Sequence, residues 1–291
     1  MSRYTFRTLH AHTRPVTSLH VHGARLLSTS MDGTACVYDV AGRDASLAPR
    51  VQLAHDEPVD TGALSATHIA TAHGAGSVSV WGVEGGEHIR RLEGHSAPVT
   101  FVSWWGDALL SASRDGTIRR WDVDTGVCLE SIRGFSGRTA VLAAARGVLY
   151  FAEGPDLVAL DLETQARRVF ASQDRDDLMA FGVCSGQVVV SYAEVSNSPS
   201  PPFRWSQAFD ACTGEPLRDR YEAADMFAFS ADGRRALFLL WGSVALVEDG
   251  QREDVLEAVV PDPRCAVFLE PSGLVLGGAS GALYCGSHVA G

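Results

Sequence analysis

Lysine is missing from this chain. All 24 basic side chains are Arg, and 35 Asp and Glu oppose them, leaving a net charge of −11 over 291 residues. A basic face able to neutralise phosphates is thereby excluded as a bulk property, and no nucleic-acid partner is expected. Paired cysteines are missing too: Cys36, Cys128, Cys184, Cys212, Cys265 and Cys285 are scattered without a Cys-x-x-Cys. They read as small buried thiols in a reducing compartment, which implies a cytoplasmic protein. The longest charge-free apolar stretch runs only over 236–247 and is broken by Gly242-Ser243. It is too short to cross a bilayer, so no membrane attachment is expected. The opening MSRYTFRTLH has no apolar segment of the kind a secretory signal needs. No window keeps a helical period. What remains is 46% hydrophobic and 20% charged, the proportions of a globular protein with enough chain for one large β domain or two smaller ones.

What is present is a repeat. The segment HSAPVTFVSWWGDALLSASRDGTIRRWD starts at His95 and reaches Trp121 after 26 residues. From His12, HTRPVTSLHVHGARLLSTSMDGTACVYD reaches Tyr38 after the same interval, and from His55 a third copy reaches Trp81. All three carry Pro-Val three and four residues after the His. Each copy holds short β-prone runs, such as Val99–Ser103, Ala108–Ala112 and Thr117–Trp121, separated by Gly106-Asp107, Asp115-Gly116 and Asp124-Thr125-Gly126. Asp-Gly between apolar runs marks a hairpin, because glycine accepts positive φ. The reading is all-β, with four short strands per unit.

Gly94-His95, Ser111, Asp115 and Trp121-Asp122 resemble the motif set of the WD-repeat β-propeller family. The resemblance implies a ring of four-stranded antiparallel blades. It also implies a buried hydrogen-bonded network of His, Ser/Thr, Asp and Trp within a blade. Blade three has His95, Ser111, Asp115 and Trp121; blade one has His12, Ser28 and Asp32, with Tyr38 in place of Trp; blade two has His55, Thr71 and Trp81, with Ala75 where Asp is expected. Ser28 and Ser111 are preferred over Ser30 and Ser113, because blade two keeps a hydroxyl only in the former column. The period continues with weaker motifs at Leu160-Asp161, Phe209-Asp210 and Val247-Glu248, and Cys265–Gly286 supplies about three strands of a seventh blade. The anchors at 38, 81, 121, 160, 209, 247 and near 286 lie about 41 residues apart on average, a blade length. Arg3–Leu9 turns Tyr4 and Phe6 to one face and Arg3, Thr5 and Arg7 to the other. It is a half-buried strand without a partner in its own unit. The expectation is a single seven-bladed domain over 1–291, closed by this strand completing the last blade.

Chemistry finds little support in the residues. His95, Ser111 and Asp115 have the types of a hydrolytic triad, but the set recurs with the repeat and no Gly-x-Ser-x-Gly surrounds Ser111. No catalytic residue is assigned. Nine of ten histidines lie in 1–95, and His10/His12 and His20/His22 each place two rings on one strand face. Neither pair has an evident third ligand, so no metal or cofactor is expected. Gly74-Ala75-Gly76 and Gly277-Gly278 read as hairpin turns. Asp174, Asp176 and Asp177, like Glu248 and Asp249, read as solvated loops.

A partner surface is more legible. In this topology the loops between blades and the second-to-third strand turns share one end, the top. A Pro/Ser-rich insertion over 194–202 falls there, followed by Phe203 and Trp205, and Trp241 occupies a turn in blade six. Rim aromatics bury large area with little rotamer entropy. Arg14, Arg114 and Arg138 map to the same end and suit carboxylates or a phosphorylated segment. Trp104-Trp105 lies at the opposite end. The expected function is a non-catalytic scaffold or adaptor binding a protein or peptide through these six residues. The alternatives are a channel-binding propeller enzyme or small-ligand binder, and a structural subunit of a larger assembly.

Overall fold

The computed structural model describes residues 4–40, 48–133, 142–145, 147–153, 156–171, 176–184, 187–194, 204–217, 221–222, 226–230, 235–240, 243–248, 251–256, 262–269 and 273–288. The strands, in chain order, begin with β1 (Tyr4–His10). Sheet one is β2 (Val16–His22), β3 (Arg25–Ser30), β4 (Thr34–Asp39) and β5 (Val51–Ala54). Sheet two is β6 (Val59–Leu64), β7 (His68–His73), β8 (Val78–Gly82) and β9 (His88–Leu92). Sheet three is β10 (Val99–Trp105), β11 (Ala108–Ser113), β12 (Thr117–Asp122) and β13 (Cys128–Arg133). Sheet four is β14 (Leu142–Ala145), β15 (Val148–Glu153), β16 (Asp156–Asp161) and β17 (Arg167–Ala171). Sheet five is β18 (Asp176–Cys184), β19 (Gln187–Glu194), β20 (Arg204–Asp210) and β21 (Tyr221–Glu222). Sheet six is β22 (Met226–Phe229), β23 (Arg235–Leu240), β24 (Ser243–Glu248) and β25 (Gln251–Leu256). The last sheet is β26 (Pro263–Leu269), β27 (Gly273–Gly278) and β28 (Ala282–His288), with β1 as its fourth strand. No helix occurs among the described residues.

The chain divides into two compact units. One holds 1–133 and 258–291, and the other 134–257. In the first, β2 packs against β26 and β6, and β6 against β10. In the second, β18 packs against β14 and β22.

The repeat period recurs in the pairing register. Tyr38, Trp81, Trp121, Leu160, Phe209, Val247 and Gly286 each lie opposite the second residue of the preceding strand, namely Leu26, Ile69, Leu109, Leu149, Val188, Ala236 and Leu274. Each first strand except β14 also carries a register shift near its start, at Val16/Ser18, Val59/Thr61, Val99/Phe101, Leu178/Ala180, Met226/Ala228 and Pro263/Cys265. Such a bulge sharpens the local twist.

Second-to-third strand turns hold glycine at positive φ: Gly33 at 82°, Gly76 at 86°, Gly116 at 80° and Gly281 at 83°. Space as well as φ requires glycine here. A Cβ on Gly33 would lie 2.8 Å from the His55 carbonyl oxygen, and one on Gly76 2.7 Å from that of His95. The turn of one sheet therefore abuts the His of the next. The His12 and His55 amides donate to the Gly281 and Gly33 carbonyls at 3.0 and 2.8 Å.

The cores lie between sheets. Leu27, Val37, Leu53, Leu64 and Ile69 join sheets one and two; Ala70, Val78, Leu92, Val102 and Trp121 join two and three. Val16, Leu26, Tyr38, Val275 and Leu283 join the last sheet to sheet one. Burying each Leu or Val contributes about 1.5–3 kcal/mol.

The β1–β28 pairing runs from Tyr4 opposite His288 to His10 opposite Ala282. Tyr4 is buried, while Thr5 and Arg7 are exposed. Phe6 faces Gly286, the glycine that stands where Trp121 stands in sheet three. A Cβ on Gly286 would meet the Phe6 ring at 2.7 Å. An aromatic from the partner strand thus fills the space left by a missing one.

Several sequence readings are corrected. Gly277 and Gly278 end β27 and are not a turn: a Cβ on Gly277 would lie 2.7 Å from Cys265 Sγ and 2.8 Å from Val16, so glycine there permits close approach of β2. Asp176 and Asp177 open β18 opposite Glu194 and Ala193, and Glu248 closes β24. Acids at strand ends tolerate pairing because only their backbone enters the ladder. Cys212 is an exposed thiol, because it sits in the turn after β20, where its amide donates to Asp210. Asp174, Asp249 and the stretch 195–202 lie outside the described residues.

Candidate functional site

In sheet three a one-way chain of donors crosses the interior. The Trp121 indole Nε1–H donates to Ser111 Oγ at 2.8 Å. Ser111 lies 2.7 Å from His95 Nε2, and His95 Nδ1 lies 2.9 Å from Asp115 Oδ2. With Nδ1 carrying the proton, the Ser111 hydroxyl donates to Nε2 and the ring donates to the carboxylate. Thr117 donates from its hydroxyl and amide to Asp115 Oδ1 at 2.6 and 2.9 Å, and the Ser96 amide donates to Oδ2 at 3.1 Å. Burial pushes the Asp115 carboxyl up, but Thr117, His95 and Ser96 outweigh it and hold it down to about 2. Burial lowers His95 against the pull of Asp115.

This connectivity is also that of a Ser-His-Asp hydrolase. Accessibility separates the two. Ser111 is 0% exposed, and the indole already occupies its acceptor side. No substrate carbonyl reaches that oxygen, so the group ties strands together.

Sheet one repeats the scheme with a relay. His12 Nε2 lies 2.7 Å from Ser28 Oγ, and Nδ1 lies 2.7 Å from Thr34 Oγ1, which in turn donates to Asp32 Oδ1 at 2.6 Å. Asp32 itself is 3.7 Å from the ring. Burial pushes the Asp32 carboxyl up, and the bonds from Thr34 and Thr13 pull it lower still. Burial lowers His12 and raises the Tyr38 phenol. In sheet two His55 Nε2 meets Thr71 Oγ1 at 3.0 Å, which also accepts the Trp81 indole N–H at 2.9 Å. With Ala75 in the Asp position, His55 Nδ1 turns to the Gly33 carbonyl at 3.1 Å. Burial pushes His55 down to about 4.

Thr34 and Thr117 escaped the sequence reading, although both close a recurring Asp-Gly-Thr triplet. Ser30 and Ser113, set aside there, do separate work: they donate to the Pro15 and Ala97 carbonyls at 3.0 and 2.8 Å. They also accept the Asp32 and Asp115 amides, both at 3.1 Å. The Asp of the Trp-Asp pair caps the following turn. Asp122 accepts from Thr125, Asp161 from Glu163 and Thr164, and Asp210 from Cys212 and Thr213.

His20 is half-buried and accepts the Leu64 amide at 3.3 Å across to sheet two, with burial pushing it down to about 4. His22 is exposed. Both His12 nitrogens and His20 Nδ1 are thus engaged. Among the described residues no three His, Cys, Asp or Glu side chains are grouped to hold a metal ion.

Of the expected partner-binding residues, Arg14 and Arg114 are exposed at the turn end. Arg14 Nη1 donates to the Met31 carbonyl at 3.2 Å, and Arg114 faces Asp60. Trp205 lies in β20 opposite Tyr192 and Glu222; its side chain, with Arg138, Phe203 and Trp241, lies outside the described residues. At the opposite end, Trp104 stacks on His68 at 5.6 Å and Trp105 lies under Arg120 at 5.5 Å.

Four-stranded antiparallel sheets, three of them carrying a His–hydroxyl tie, fit a β-propeller. Comparison agrees: residues 3–39 and 86–122 match the WD domain, G-beta repeat family, so the chain carries WD repeats over these two stretches. A crystal structure of RRP9 WD40 repeats superposes with TM-score 0.78 over 98% of this chain and 97% of that one, at 15% identity, which establishes likeness of fold. Curated relatives include the WD repeat-containing protein pop1 of Schizosaccharomyces pombe, 51% identical over 18% of this chain and 7% of its own length. The nuclear distribution protein PAC1 of Candida tropicalis is 29% identical over 40% of this chain and 25% of its own length. Telomerase protein component 1 of Mus musculus is 40% identical over 24% and 3%. The chain thus spans a quarter or less of these relatives. WD-repeat proteins typically act as protein-interaction scaffolds or adaptors.

Proposed function

We propose that this chain is a non-catalytic interaction module. In this reading it forms one seven-bladed ring over 1–291, with β1 completing the last blade, and it binds a protein or peptide through the loops at the turn end. The observation that carries the reading is the burial of Ser111. Among the described residues, the Ser–His–Asp constellations are sealed inside their sheets, while Arg14 and Arg114 stand exposed at the turn end. The excess of acid over base favours a protein partner over a nucleic acid. Five described cysteines are free thiols, in keeping with a reducing, cytoplasmic setting.

The test is affinity capture from the native cell with the intact chain, an R14A/R114A/R138A variant and an F203A/W205A/W241A variant. Partners captured by the intact chain and lost from either variant support the reading. Full retention by both removes the turn end from the account.

A further inference from the structure

Sheet two differs from both neighbours at its second-to-third strand turn and, like sheet one with Cys36, lacks the arginine that sheet three carries on its third strand. The turn residue that is Asp32 in sheet one and Asp115 in sheet three is Ala75. Counting on from the turn, Ser77, Ser79 and Trp81 take the places of Thr117, Arg119 and Trp121. Loss of the carboxylate leaves Ser77 Oγ buried with no partner among the described residues; His73, which stands where Ser30 and Ser113 stand in the neighbouring sheets, is only 6% exposed, and its Nδ1 also has no partner among the described residues. Each such atom costs about 1–3 kcal/mol.

The exchange of Arg119 for Ser79 has a spatial result. In sheet three the Arg119 guanidinium carbon stands 5.8 Å from the centroid of the Trp121 ring, and the side chain lies against Gly94, the residue before His95. In sheet two the corresponding space is a pocket of about 340 Å³, lined by Ala54, His55, Ser79 and Trp81. That volume is at the lower end of small-ligand sites. His73 forms part of the wall, and the exposed carboxylates of Asp56 and Glu57 also line it. Trp81 meets the rings of His55 and His88 at 5.1 and 4.7 Å, and no cation lies over it among the described residues. Arg91, opposite Ser79 on β9, also lines the pocket, but its Nε lies 3.4 Å from Glu93 and its side chain is half-exposed.

We infer that this pocket accepts the guanidinium of a partner's arginine side chain, in the place that Arg119 fills from within sheet three. Trp81 supplies the π face, and Asp56 and Glu57 supply the countercharge. The planar, always-charged guanidinium suits a site that pairs a ring with carboxylates. The biological use of the pocket rests on the interaction-module reading; its occupancy does not.

The experiment titrates the full chain with N-acetyl-arginine amide, its neutral citrulline isostere and acetate, read by the Trp81 indole resonance. The arginine amide is expected to saturate and to bind about tenfold more tightly than the isostere. Ser79→Arg supplies an internal guanidinium and is expected to abolish binding with an unchanged or raised melting temperature. Asp56→Asn/Glu57→Gln leaves the pocket shape and is expected to weaken binding several-fold. Arginine amide that fails to saturate, a citrulline isostere that binds equally, acetate that binds better, or affinity unchanged in both variants would overturn the inference. A pocket that fails while partner capture depends on the turn-end residues leaves the module reading standing; the reverse outcome separates the two in the other direction.

Discussion

Ser111 serves Trp121 and His95 at once and has no contact with solvent. Ser111→Ala therefore strands two polar groups and is expected to cost about 1–3 kcal/mol, measured as a lower urea midpoint at unchanged slope. Titration adds a signed expectation. His20 and His55 are held at about 4 in the fold against 6.5 for a free ring. The unfolded chain therefore takes up protons first as pH falls. Stability from these rings is complete above pH 6.5 and is lost between 6.5 and about 4. Asp115, held at about 2 against 3.8, adds a second loss between those values. His20→Gln keeps an acceptor for Leu64 without titrating, so its midpoint should change less between pH 7 and pH 5; an identical pH slope in variant and parent rejects this assignment. At this scale the sequence showed which types recur at which interval. It did not reveal that Thr34 relays between His12 and Asp32, because a 3.7 Å gap between ring and carboxylate is not written in spacing.

Strands were legible wherever turns carried Asp-Gly or a Gly at the second-to-third strand junction, since those residues punctuate the β-prone runs. Bulges near the starts of the first strands were not legible. A one-residue insertion leaves the composition of the run intact and appears only when the partner strand is counted against it. Gly277 was misread for a related reason: glycine marks both turns and close approach, and only the position of β2 tells them apart. The Phe6–Gly286 contact allows an element-level test. Phe6→Ala opens the space and is expected to cost about 2 kcal/mol for a half-buried ring. Gly286→Ala crowds the same ring and is expected to cost about 1–3 kcal/mol. The double variant should cost less than the two singles together, because the added methyl then enters the vacated space. Strict additivity in thermal melts would separate the two residues.

Across the molecule, motif strength falls from the first three sheets to the later ones. Sheets one to three keep the His–hydroxyl–aromatic sets, whereas Leu160, Phe209 and Val247 keep only the anchor position and its apolar character. In the later sheets the sequence carries the period without the His and hydroxyl motif residues. Removing residues 1–9 should lower the melting temperature and leave β28 with an unpaired edge prone to self-association. Differential scanning calorimetry with size-exclusion chromatography checks both, and a truncated chain that melts with the parent as a monomer refutes the role assigned to β1.

The partners Tyr4 and His288 are translated far apart in time. On the ribosome, β1 emerges before the sheets that follow it in this sequence, and β28, its ladder partner among the described residues, arrives after them. Through that interval the strand stays available to any passing chain, so chaperone protection of nascent β1 matters more for yield than the speed of any one hairpin.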